Sequence, residues 1–439
     1  MKQDVHVVLS GRWLISMDGN SGAREEAGIS VAIAHDKITE IGPNLAAKYP
    51  QAEHLACPHG LIMPGLINAH THAAMSCFRG LADDLPLMDW LTQHIFPREA
   101  QLTKEIVYHS TLLSICEMIR SGTTSCNDMY LFAHEVARAV EEAGMRAWLG
   151  EVFFDFPSPN YGALENGFAS VEELFEVYKD SSLVRITVNP HAVYTCSPVL
   201  LQRAAALAEK QHALLHIHLA ETKDEVRSCV ERYGCSPVQH IENLGLLNER
   251  LVAAHCVMVH AEEIELLARR KVKIAHCPES NMKLASGIAP VQQMLNKGLT
   301  IGLGTDGSAS NNDVDMFGEM STAAKLQKVH DLDPTSMRAD AVLRAATLGG
   351  AALLGAETEI GSLVVGKKAD LIMLDMNQPH LTPLYNPVSH LVYAAKGSDV
   401  LHSVINGKVV MRHRQLTTLD EAALLTEMRR IGETVQRMR

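Results

Sequence analysis

His70 and His72 close the apolar run LIMPGLINAHTH, His218 closes LLHIH, and Asp306 follows LTIGLGT. His191, His255 and His276 end three more runs of the same kind. Imidazole nitrogens and carboxylate oxygens bind borderline divalent ions such as zinc, and imidazole also moves protons near neutral pH. In a strand, residues two apart face the same way, so both imidazoles of His70-Thr71-His72 can enter one space. His216 repeats that spacing with His218 but lies deeper, and it reads as a hydrogen-bonded core histidine. Glu221 sits where the chain leaves its strand. A carboxylate there can carry a proton without binding the metal, or it can simply face solvent. Asp306 alone would cap a helix. Beside three converging histidines it reads as a fourth ligand, and Gly302, Gly304 and Gly307 leave room for close approach. His255 is either a further imidazole ligand or a base on the attacking water. Three histidines and one aspartate leave one position open for water and His255 free for proton work.

These residues need a scaffold that collects strand ends. Eight strand-like runs can be read in the middle of the chain: LIMPGLINAH, GTTSCND, RAWLGEVFF, VRITVNPH, ALLHIHLAE, RLVAAHCV, KVKIAHCPE and LTIGLGTD. Helical segments such as LTKEIVYHSTLLSICEMIRSG alternate with them. That order predicts an α/β fold of the (β/α)8 TIM-barrel type, whose active site lies at the C-terminal ends of its strands. A doubly wound open sheet is the alternative, but no G-x-G-x-x-G follows the first strand. Both chain ends are rich in short Val/Ile strands with Gly or Asn-Gly turns, Asn406-Gly407 among them. They predict one small β-sandwich from residues 1–62 and 355–439, the latter ending in a helix. The barrel would occupy 63–354.

Composition narrows the function. The 439 residues are 47% hydrophobic and 21% charged, which excludes a largely disordered chain. A net charge of −12 argues against general nucleic-acid binding. No apolar run reaches the ~18–20 residues of a membrane helix, and the N-terminus lacks a signal-peptide core. Nine cysteines without C-x-x-C predict reduced thiols and a cytoplasmic location.

The segments PGLINAHTH, HIHLAET, AAHC, HCPESNMKL, GTDGSASNN and GSLVVGKKADLIMLD resemble the amidohydrolase superfamily, specifically its adenine-type deaminases. The resemblance covers nearly the whole chain and is nearest to the 5′-methylthioadenosine/S-adenosylhomocysteine deaminases. It implies His70, His72, His218 and Asp306 as metal ligands. Glu221, His255 and Asp306 become the catalytic proton-transfer groups. Trp90 would pack on the nucleoside, Glu99 would bind the ribose hydroxyls, and His191, Glu221 and Ser310 would contact substrate. From the residues alone, Trp90 would be core and Glu99 a helix N-terminal acid.

Two-metal barrels of this type bridge their ions with a modified lysine on strand 4. Here VRITVNPH carries none, so one divalent ion, zinc, is expected. The implied reaction is hydrolytic deamination of a purine nucleoside by a homo-oligomer. The alternatives are hydrolysis of a cyclic amide, deamination of guanine or a triazine, and a closed, non-catalytic zinc site. Family members that accept S-adenosylhomocysteine place arginines after strand 3. The stretch 147–184 has none, and Lys179 is its one basic residue. Glu151, Asp155 and Glu165 make it acidic, while Phe153, Phe154, Phe156 and Pro157 offer an apolar lining. An unpartnered buried carboxylate is costly. The expected preference is therefore 5′-methylthioadenosine, with weaker action on S-adenosylhomocysteine and adenosine. Arg79 is the alternative carboxylate partner.

Overall fold

The computed structural model describes residues 4–19 and 24–438. Residues 1–3, 20–23 and 439, part of the expected terminal β unit, lie outside the described residues. In chain order the strands are β1 (Val7–Leu14), β2 (Arg24–Ala34), β3 (Lys37–Pro43), β4 (Glu53–Ala56), β5 (Gly60–Pro64), β6 (Leu66–Thr71), β7 (Thr123–Tyr130), β8 (Arg146–Phe153) and β9 (Val184–Ile186). They continue with β10 (Asn189–Pro190), β11 (Leu215–Leu219), β12 (Leu251–His255), β13 (Lys273–His276), β14 (Thr300–Leu303), β15 (Leu371–Asp375), β16 (Val400–Ile405), β17 (Lys408–Arg412) and β18 (Gln415–Leu416).

The central strands are parallel. One sheet runs β10-β8-β7-β6 with β9 beside β8, and another runs β11-β12-β13-β14. Parallel bridges from Val188 to Leu215 and from Ala192 to His218 join them on one side. On the other, the Asp306 N–H donates to His70 O at 3.0 Å and the Thr305 N–H to Asn68 Oδ1 at 3.0 Å. The result is a barrel of eight strand positions, the fourth split into β9 and β10. All residues of β6, β7, β8, β11 and β12 are buried. Burial on both faces accounts for the largely apolar β11 and β12, while β7 (TTSCNDMY) is buried although mostly polar. Crossover helices include Lys104–Arg120, whose N-cap Thr103 accepts from Ile106 N–H, and Pro198–Lys210, capped by Ser197.

The two chain ends meet in a nine-stranded sheet ordered β18-β17-β16-β15-β5-β1-β2-β3, with β4 parallel to β1. β15 runs antiparallel to β5, with Leu371 opposite Pro64. Leu9, Ile29, Val31, Ile62, Leu371, Met373 and Val404 share one buried cluster. Asn406 and Gly407 both have positive φ, as a type I′ hairpin turn requires.

Two expectations need correction. The run LIMPGLINAH is two strands in two sheets, broken at Gly65, where a Cβ would lie 2.1 Å from the Thr124 side chain. Pairing of β5 with β15 therefore moves the boundary from residue 62 to Gly65. The terminal helix Glu421–Arg437 packs mainly on Lys104–Arg120, a helix of the barrel. Its Leu424, Met428, Ile431 and Val435 join the large cluster that contains barrel and terminal-sheet residues alike. Among the described residues, no helix is long and apolar enough to cross a membrane.

Candidate active site

The strand ends deliver His70, His72, His218 and Asp306 to one point at the barrel mouth. One ligand atom from each lies within 4.8 Å of the others. Asp306 Oδ1 is 3.4 Å from His70 Nε2 and 3.1 Å from His72 Nε2, and His218 Nε2 lies 3.2 Å from His72 Nε2. Each ring is aimed by its other nitrogen. His72 Nδ1–H donates to Met129 O, and His218 Nδ1–H donates to His191 O at 2.9 Å. His70 Nδ1 pairs with His216 Nε2 at 2.9 Å. His216 is thus the hydrogen-bonded partner of a candidate ligand, an arrangement typical of metal sites.

The residues fit a divalent ion. His70 Nε2 is fully buried with no hydrogen-bond partner, and it faces a carboxylate and two imidazoles. A cation at that point would satisfy it, and a set of three nitrogens and one oxygen suits zinc. Burial pushes His70 down to about 4 and His218 well below its usual range, so both are neutral, as ligands must be. At His72 burial is outweighed by the neighbouring Asp306, which raises the ring to about 9. Burial works against ionised Asp306, but His70 and His72 hold it well below the usual carboxylate range. Asp306 Oδ2 also accepts from Ser280 Oγ–H at 2.6 Å and Ser310 Oγ–H at 3.0 Å.

One cavity opens over this cluster. Trp90, Glu99, His191, Glu221, His255 and Ser310 all line it. His255 Nε2 faces Glu221 Oε2 from 3.9 Å. Burial raises the Glu221 carboxyl above its ordinary value, partly opposed by His255. Burial likewise raises Glu99, which lies beside Tyr130. His191 donates Nδ1–H to Thr195 Oγ1 at 2.8 Å and packs on Phe154. His276, also a strand-end histidine, is buried but belongs neither to the cluster nor to the cavity wall.

The loop after β8 differs from expectation. Phe154 lines the cavity, but Phe153 points into the core and stacks on Phe168, because neighbours on a strand face opposite ways. Phe156 is at the rim, stacked on Phe154, and Pro157 is exposed. The acids are structurally engaged. Glu151 accepts from Phe132 and Ala133 N–H, Asp155 from Ser197 N–H, and Glu165 pairs with Arg203. Arg79 is held by Glu117, and Lys179 by Glu176. Among the described residues, no lysine or arginine lines the cavity. Sequence reasoning missed Tyr130, Tyr194 and Phe96, which do line it. Tyr130 ends β7, so the strand-end rule that singled out the histidines would have found it.

A parallel barrel with imidazoles and an aspartate converging at its C-terminal mouth defines a metal-dependent hydrolase scaffold. The chain matches the amidohydrolase family over residues 61–410 and belongs to it. It is 54% identical to a 5-methylthioadenosine/S-adenosylhomocysteine deaminase of Syntrophobacter fumaroxidans, over 94% of this chain and 95% of that one. It is 44% identical to a 5′-deoxyadenosine deaminase of Methanosarcina barkeri, over 97% and 98%. A solved adenosine deaminase from Xanthomonas campestris with bound zinc superposes with TM-score 0.95 at 38% identity, covering 98% of this chain and 99% of that one.

Proposed function

We propose that this protein is a zinc-dependent deaminase that converts 5′-methylthioadenosine to 5′-methylthioinosine and ammonia, with weaker action on S-adenosylhomocysteine and adenosine. Deaminase relatives of 40–54% identity support hydrolytic attack on a purine C–N bond. The observation that carries the substrate choice is a cavity wall with Phe96, Phe154 and Leu87 and, among the described residues, without a lysine or arginine. Such a wall suits a methylthio group and leaves an amino-acid carboxylate unpaired.

In this reading His70, His72, His218 and Asp306 hold a single zinc ion. When bound, the ion supplies nucleophilic hydroxide by lowering the pKa of water toward about 7. Asp306 and His255 take up the proton of the attacking water. Glu221, whose carboxyl burial raises above its ordinary value, donates a proton to the ring nitrogen beside C6 and makes that carbon electrophilic. The amino group takes the proton held by Asp306 and His255 and leaves as ammonia, the added hydroxyl returns a proton to Glu221, and the 6-oxo purine remains. Trp90 packs on the nucleoside, Glu99 binds the ribose hydroxyls, His191 is a further substrate contact, and Ser310 contacts the substrate beside the purine. The nine-stranded sheet is read as a sandwich closed over its apolar cluster. Nine free cysteines support a reducing, cytoplasmic setting.

The test is kcat/KM for ammonia release from 5′-methylthioadenosine, S-adenosylhomocysteine and adenosine, with guanine as control. The expected order places 5′-methylthioadenosine first. An equal or higher value for S-adenosylhomocysteine overturns the substrate assignment.

A further inference from the structure

β13 leads into the mouth, yet its terminal His276 does not reach the cavity. The turn that follows, Pro278–Lys283, has other work. Its Ser280 donates to Asp306 Oδ2, from the strand on one side. Its Asn281 meets His255, from the strand on the other side. Asn281 is 1% exposed, and its Oδ1 lies 2.9 Å from His255 Nδ1. A carbonyl oxygen can only accept, so Nδ1 carries the imidazole proton. Nε2 then keeps its lone pair and faces the cavity, with Glu221 Oε2 3.9 Å away. His255 also has φ +71°, in the left-handed region that residues other than glycine visit uncommonly.

We propose that Asn281 is a positioning residue that fixes His255 in the Nδ1–H tautomer and so presents Nε2 as a proton acceptor. The proposal rests on the deaminase reading above for the use made of that nitrogen. Asn281 is not among the residues lining the cavity, and the side-chain hydrogen bond it makes is to His255. The opposite amide orientation, with Nδ2 toward the ring, would force the proton onto Nε2 and turn the acceptor into a donor.

The experiment compares the metal-loaded wild type with Asn281→Leu and Asn281→Asp. Leucine keeps the shape and removes the acceptor, while aspartate keeps the acceptor. Metal content, kcat and KM for ammonia release are measured, and the ¹⁵N spectrum of histidine-labelled protein reads the His255 tautomer. Loss of such an outer partner costs about 10–100-fold. Asn281→Leu should therefore keep its metal and KM while kcat falls by about that factor. Asn281→Asp should recover most of it. A fully active leucine variant, or an aspartate variant as poor as leucine, overturns the proposal. So does an Nε2–H tautomer in the wild type, which decides the matter even where the leucine variant does not fold. Absence of ammonia release by the wild type would instead refute the deaminase reading, with the tautomer still measurable.

Discussion

At Ala220, Cys256 and Asp306 the backbone is left-handed, with φ +52°, +46° and +62°. Each such non-glycine residue costs about 1–2 kcal/mol, and these three lie where strands leave the barrel beside the cluster. The strain is spent on aiming side chains, since Ala220 precedes Glu221 and Asp306 is itself a candidate ligand. Glu221 is the sharpest test of this aim. Glu221→Gln keeps the shape but removes the transferable proton, so the variant should retain zinc while kcat falls by about 10²–10⁴-fold. Near wild-type turnover would remove Glu221 from proton transfer. The ion count is a second test. β10 ends in Asn189-Pro190 followed by His191, so no lysine is placed there to bridge two ions. Metal analysis should give one ion per chain, and none in His218→Ala. Two tightly held ions per active chain would contradict this ligand set.

Among the elements, a repeated device holds the mouth loops. A buried carboxylate accepts N–H bonds from a strand-exit loop: Asp128 from Ala73, Glu151 from Phe132 and Ala133, and Glu225 from Ala220 and Glu221. Burial raises Glu151 to about 7 and Glu225 to about 7, although these bonds pull the other way. The folded carboxyls thus titrate above the ordinary 4.5. Between about 4.5 and 7 these two carboxyls hold more proton in the native state than in the unfolded chain, so their contribution to stability falls as pH rises through that window. Buried neutral histidines such as His70 and His191, pushed down to about 4 and about 3, carry the opposite slope, so the carboxyl contribution is read as a difference. The Tm of metal-depleted wild type relative to Glu225→Gln should fall from pH 5 to pH 8, and a constant or rising difference would refute the shift. Such anchors were not legible in the sequence. Glu225 looked like any acid in the first turn of a helix, and Asn281 like any helical asparagine, because their partners are set by three-dimensional closeness. Strand ends were legible, since an apolar run closing on histidine marks both the element and its exit. Register was not. Phe153 and Phe154 are adjacent, and only the pairing of β8 decides which faces the cavity. LIMPGLINAH likewise showed no break in its apolar pattern, so its division at Gly65 between two sheets emerged only from strand pairing.

For the whole molecule, the question is what fastens the terminal sheet to the barrel. Arg146 opens β8 at the end opposite the candidate site, and Asp370 immediately precedes β15. Arg146 Nε donates to Asp370 Oδ2 at 2.6 Å, and one terminal nitrogen donates to Oδ1 at 3.1 Å. The side chains are 4% and 2% exposed. The network extends to Ser182 O at 2.6 Å and to Asn406 Oδ1 at 3.2 Å, in the β16–β17 turn. One fork therefore ties the barrel to both the first and second strands of the C-terminal part of the sheet. A buried pair of this kind adds little over a well-packed apolar substitute, but removing one partner strands the other charge. Arg146→Ala should cost about 3–5 kcal/mol, read as a lower urea midpoint. Arg146→Met combined with Asp370→Leu should recover most of that loss, because no charge is then left buried. Neither change touches the mouth, so kcat at a permissive temperature should stay near the wild-type value. If the double variant is as unstable as Arg146→Ala, the fork's contribution lies in its hydrogen bonds to Ser182 and Asn406 and not in pairing the Asp370 charge.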